Sequence, residues 1–139
     1  LAQLNLYYLY LNNNNFNGTI PTELGQMPRL VRLHLHENTF TGTLPAELGL
    51  LIYLQELNVA RNKLFGSIPT TLSVLNSLRS FACYDNDFTG SVNDIFCIGD
   101  RLWYYLQSDC LATDGQIEIQ CDCCTTCCNV NGTFCQDVR

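Results

Sequence analysis

An Asn-centred segment recurs four times at one spacing, and no other feature of this 139-residue chain limits its fold as tightly. The first copy runs through Leu9, Leu11, Asn14, Phe16, Gly18 and Ile20 to Pro21. The second sets Leu33, Leu35, Asn38, Phe40, Gly42, Leu44 and Pro45 at the same offsets. The third has Leu57, Val59, Asn62, Leu64, Gly66, Ile68 and Pro69. The fourth carries Phe81, Cys83, Asn86, Phe88, Gly90 and Val92, with Asn93 where the proline would fall. Each copy starts 24 residues after the one before. At such a period each unit is one coil that cannot bury its apolar side alone, so stacked coils complete a shared core.

The order of residues within a coil assigns its parts. Leu-x-Leu has the period of a strand, with Leu inward and x outward. Strands stacked in register make a parallel sheet on one face. Asn14, Asn38, Asn62 and Asn86 sit at the turn out of each strand, where an amide offers donors and an acceptor to the neighbouring turn. Phe16, Phe40, Leu64 and Phe88 fill the next bend as an aromatic spine. Pro21, Pro45 and Pro69 then lead into segments with apolar residues every third place, such as Leu48, Leu51 and Leu54. That spacing predicts short 3₁₀ or irregular turns on the outer side. The fold class expected is an α/β solenoid.

The pattern Leu-x-Leu-x-x-Asn-x-Phe-x-Gly-x-Ile-Pro-x-x-Leu-Gly resembles the plant-type leucine-rich repeat, over roughly residues 6–97. The resemblance implies a right-handed coil with a parallel concave β-sheet, a second short strand near the Gly-x-Ile-Pro bend, and recognition of proteins or peptides on the concave face. The expected division is repeats over 1–97 and a terminal repeat with a Cys-rich cap over 98–139. Near Leu106 the period slips by one residue, and this stretch reads as a degenerate strand that hides the last open edge. The chain begins in mid-repeat, which predicts a fragment of a longer protein with more repeats upstream.

Seven of the nine cysteines lie between Cys110 and Cys135. That density predicts an oxidising compartment, and an extracellular location, secreted or as an ectodomain. Cys97, Cys110, Cys121, Cys123, Cys124, Cys127, Cys128 and Cys135 are the disulfide candidates, with connectivity open. Cys83 is left over as a small buried hydrophobe. The tail from Cys121 to Cys128 resembles the caps of algal leucine-rich repeat proteins. The Cys124–Cys127 spacing also suits a zinc knuckle or a redox pair. Cysteine density and the repeat class favour disulfides, and no metal or cofactor is assigned.

A net charge of −6 argues against nucleic acid or anionic membrane as partner. No nucleophile elbow, phosphate loop or helical zinc motif is present, so the chain does not read as an enzyme. Recognition falls to the outward strand positions: Tyr8, Tyr10, Arg32, His34, His36, Glu37, Glu56, Asn58, Arg61, Tyr84 and Asp85. Stacking predicts Glu37, Arg61 and Asp85 in one column and Arg32 beside Glu56 in another. These residues could simply pair across a solvated sheet, for about 0.2–1 kcal/mol a pair. They could equally hold a ligand, since Tyr and Arg are enriched at binding hot spots. His34 and His36 share a face but lack a clear third metal ligand. Asn17 and Asn131 begin N-glycosylation sequons. The expected function is an extracellular module that binds a protein, peptide or glycan on its concave sheet. An extracellular matrix or adhesion protein, or an inhibitor of a secreted hydrolase, are the alternatives.

Overall fold

Alternating Leu-x-Leu side chains give each repeat a three-residue strand before the chain must turn. The computed structural model describes residues 5–98, 105–108, 119–128 and 135–137. Its first coil holds β1 (Tyr8–Tyr10), β2 (Asn17–Thr19) and a 3₁₀ turn at Thr22–Gln26. The second repeats this as β3 (Arg32–His34), β4 (Thr39–Gly42) and Ala46–Leu50. The third follows as β5 (Glu56–Asn58), β6 (Lys63–Gly66) and Thr70–Val74. The fourth has β7 (Ser80–Ala82), β8 (Asp87–Phe88) and β9 (Gly90–Ser91), then one helical turn, α1 (Asn93–Phe96).

Proline decides which outer turn forms. Pro21, Pro45 and Pro69 cap the three 3₁₀ turns with φ near −64°, −63° and −62° and extended ψ. Where the proline is lost, Val92 takes φ −106° and ψ 5°, and the chain enters α1 instead.

The coils stack in one phase. Leu9 lies opposite Leu33, Leu33 opposite Leu57, and Leu57 opposite Phe81 in a parallel main sheet. Leu35, Val59 and Cys83 occupy equivalent interior sites, each at most 1% exposed. A second sheet joins β2, β4, β6 and β8 along the Gly-x-Ile-Pro side. The apolar triads of the outer turns are all buried: Leu24, Met27 and Leu30, then Leu48, Leu51 and Leu54, then Leu72, Leu75 and Leu78. Phe40, Leu64 and Phe88 form the expected spine, but Phe16 is 43% exposed. It stacks on Phe40 from the open end of the array, with no coil in front of it among the described residues.

Past residue 97 the main sheet continues. β10 (Tyr105–Ser108) pairs with β7, and Leu106 lies opposite Phe81, one residue late as the sequence predicts. It does not hide the last edge, however. β12 (Thr126–Cys128) adds in parallel to β10, and β13 (Cys135–Asp137) closes the sheet antiparallel to β12. β11 (Ile119–Gln120) pairs with β9 on the other side. A short final strand of reversed direction is one way to blunt a sheet edge.

Among the described residues two disulfides link this region, Cys97–Cys123 and Cys121–Cys124. The first ties α1 to the loop before β12, and the second leaves Cys124 unable to serve in a zinc knuckle. Cys83 is buried and its Sγ donates to the Gln107 carbonyl at 3.6 Å. Cys110 lies outside the described residues. Cys127, Cys128 and Cys135 contribute backbone to β12 and β13.

Candidate functional site

A parallel sheet sets neighbouring outward side chains about 4.8 Å apart, so residues 24 apart in sequence become neighbours. Arg32 and Glu56 are opposite each other, and Arg32 Nε lies 3.1 Å from Glu56 Oε1. His34 shares the same carboxylate, with Nε2 3.3 Å from Oε2. One column over, Arg61 donates to Glu37 Oε1 at 2.7 Å. The predicted charge columns are therefore present, and all five of these side chains remain partly open to solvent.

Aromatic rings flank both arginines. The Arg32 guanidinium stands 5.4 Å from the Tyr8 ring centre, and that of Arg61 stands 5.8 Å from Tyr84. Such contacts hold a cation in place without neutralising it. Tyr8 and Tyr10 are parallel to within 3° and both exposed, and Tyr10 leans on His34 at 4.8 Å. His34 in turn meets His36 edge-on at 5.6 Å. Tyr8, Tyr10, Arg32, His34, His36, Glu37, Glu56, Arg61 and Tyr84 thus form one connected surface. Asn58, part-buried opposite His34, accepts from the Ala60 N–H at 3.1 Å. Ala60 and Ala82, outward by alternation, are covered by larger neighbours and buried.

The backbone adds a feature that alternation could not reveal. Asn13, Glu37, Arg61 and Asp85 all take left-handed φ values of 53° to 56°. Asn and Asp tolerate this region, whereas Glu and Arg are unusual there. The sequence clue is the recurrence of Asn or Asp at this offset in the first and fourth copies. The turn lifts these four side chains off the strand line, which places Arg61 against Tyr84 and Glu37.

Burial, and then the charge of His34, hold the His36 imidazole below its ordinary pKa. Its Nδ1 is shielded from solvent and without a hydrogen bond. Burial raises the Asp85 carboxyl, with Arg61 opposing. A histidine whose folded pKa is depressed binds its proton more readily when unfolded. Its contribution is complete above about pH 6.5 and declines as pH falls through the folded value. Asp85 acts in the opposite sense, and only in the carboxylate range. Stability is therefore expected to drop between pH 7 and pH 5, and His36→Gln should flatten that slope in urea melts. Equal slopes in the two proteins would contradict the assignment.

Asn17 is exposed on β2, as a glycosylation acceptor must be, and Asn131 lies outside the described residues. Cys97, Cys121 and Cys123 bring their sulfurs within 4.8 Å of one another, but all three are in disulfides.

A family model described as Leucine Rich Repeat matches residues 5–27, 29–51 and 53–75. No curated protein matches the chain. Among solved structures, the BIR3–SERK2 complex from Arabidopsis thaliana is 32% identical with a TM-score of 0.60, over 68% of this chain and 51% of that one. The plant peptide hormone receptor RGFR1 in complex with RGF2 is 33% identical with a TM-score of 0.63, over 76% and 18%. A plant ice-binding protein is 29% identical with a TM-score of 0.62, over 75% and 32%. The chain spans about half or less of the length of these structures. They support the repeat resemblance and do not bear on the likeness of the Cys-rich tail to algal caps.

Proposed function

We propose, for a chain that is a leucine-rich repeat protein, that the concave sheet is a recognition surface for an extended peptide or a protein partner. The observation that carries this reading is the run of ordered, part-exposed groups from Tyr8 to Tyr84. Two arginines are already oriented by glutamates and tyrosines, so little side-chain freedom remains to be lost on binding. Among its structural relatives, RGFR1 is a peptide hormone receptor in complex with RGF2, and BIR3 is in complex with SERK2. An ice-binding protein on the same scaffold is a reminder that the fold alone does not choose the ligand. The disulfides and the receptor likeness support an extracellular, non-catalytic domain. Within it the repeats over 1–97 carry recognition, and the segment 98–139 closes the end. Asn17 is offered for glycosylation on the second sheet and not on the main sheet that carries recognition.

The double variant Arg61→Gln, Tyr84→Ala removes the centre of this surface without touching the core. Peptides selected by display against the parent protein should bind the variant about 10- to 100-fold more weakly, as loss of one or two hot-spot residues implies. Selected peptides that bind both proteins equally would remove the concave face from consideration. A selection that returns no binder would favour a matrix or adhesion role. Inhibition of one member of a panel of secreted hydrolases would favour the inhibitor reading.

A further inference from the structure

Beside the concave face, where the chain climbs from each outer turn to the next strand, Tyr7, Arg29, Val31, Tyr53, Gln55 and Ser77 line a groove of about 310 Å³. Backbone hydrogen bonds fix one wall. Val31 N–H donates to Tyr7 O at 2.8 Å, Gln55 N–H to Val31 O at 2.8 Å, and Arg79 N–H to Gln55 O at 2.9 Å. The other wall is the column Arg29, Tyr53 and Ser77, one residue per coil. We infer that this groove holds an anionic sugar residue of a polysaccharide, at a site separate from the concave face.

Charge points to the anion. Among the described residues no carboxylate pairs with Arg29, whereas Arg32 and Arg61 each hold a glutamate. The Arg29 guanidinium donates to the Tyr7 hydroxyl, at 3.4 Å. Among the described residues no acidic side chain lines the groove. Arg79, donating to the Asn76 and Leu78 carbonyls at 2.7 and 3.0 Å, keeps a second positive charge on the same flank. A guanidinium without a carboxylate is the group best suited to a bidentate oxyanion.

Shape and polarity point to the sugar. Tyr7 and Tyr53 leave half or more of their surface open, at 50% and 57%. A pyranose presents a flat C–H face to such rings and a rim of hydroxyls to Gln55 and Ser77. The volume sits at the low end of the roughly 300–1,000 Å³ typical of ligand sites, which suits one unit of a polymer. The net charge of −6 repels a polyanion at a distance, so recognition must come from these short-range contacts.

The test titrates the whole chain by calorimetry with three probes of equal length: an oligogalacturonate, its methyl ester, and a sulfated neutral oligosaccharide. The carboxylate arm, the sulfate arm or both should bind, which identifies the source of the anion. The ester should bind about tenfold more weakly, the scale of one charge-assisted contact. Arg29→Gln should erase that preference, and Tyr53→Ala should weaken every probe. Arg61→Gln, Tyr84→Ala should leave all three unchanged, so the fate of the concave face is read separately. The inference is overturned by equal binding of acid and ester, or by no anionic probe binding at millimolar concentration. Ser77→Trp fills the groove in case the arginine variant folds poorly, and wild-type affinity in that protein also overturns it.

Discussion

Asn86→Ala is expected to lower the unfolding free energy by about 3 kcal/mol, whereas Asn14→Ala should cost less than about 1. Both residues occupy the same place in the repeat, so the difference isolates what stacking adds. The Asn86 Oδ1 accepts the Leu64 N–H of the preceding coil at 3.0 Å. Its Nδ2 donates to Val59 O at 3.0 Å across the coils and to Cys83 O at 3.1 Å within its own turn. Alanine leaves a buried N–H and two carbonyls short of partners in a site that water does not reach. Asn38 and Asn62 repeat the arrangement, accepting from Phe16 N–H and Phe40 N–H at 3.0 Å each. Asn14 is exposed, and among the described residues its Nδ2 meets only the Leu11 and Asn12 carbonyls of its own turn. Urea melts followed by circular dichroism measure both values. Equal losses would mean that the ladder contributes nothing across coils.

The parts of this fold that sequence foretold are those where one residue type answers one geometric demand at every turn. Leu9, Leu33 and Leu57 had to share a face because the strand period is two, and the 24-residue spacing then fixed their register. The Asn ladder and the charge columns followed from that register without further information. What escaped was of three kinds. The left-handed turn at Glu37 and Arg61 is set by the path of the chain, and neither residue type announces it. The groove beside Tyr53 lies between two columns that alternation treats as connectors, so neither column stood out as a surface. At the C-terminal end the strands β12 and β13 are only three residues long, lack Leu-x-Leu spacing, and were masked by the cysteines. A cysteine-rich stretch carries its structural information in pairings, which a linear pattern does not encode.

Gly25→Ala should destabilise the array by about 3 kcal/mol, against the ordinary preference for alanine in helical turns. Gly25 lies inside the first 3₁₀ turn, and a Cβ there would sit 2.3 Å from the Glu47 carbonyl oxygen and 2.6 Å from its carbon. Those atoms are backbone of the second 3₁₀ turn, so no rotamer change relieves the clash. Gly49 meets Thr71 O of the third turn at 2.6 Å, by the same contact one coil on. Relief requires the outer turns to separate, which would expose Leu24, Leu48 and the apolar column behind them. Gly18 provides the contrast. It has φ +78° but nothing within 4 Å of an added Cβ, so alanine there meets only backbone strain of about 1 kcal/mol. In the third coil the equivalent place is Ser73, and the chain that follows it is α1 instead of a fourth 3₁₀ turn. The side chain is tolerated where the repeat ends, which shows that the glycine answers to the neighbouring coil and not to its own turn. If thermal melts found Gly25→Ala as stable as the parent, the outer turns could not be packed backbone to backbone, and the stacking that positions every recognition residue on the opposite face would lose its spacing.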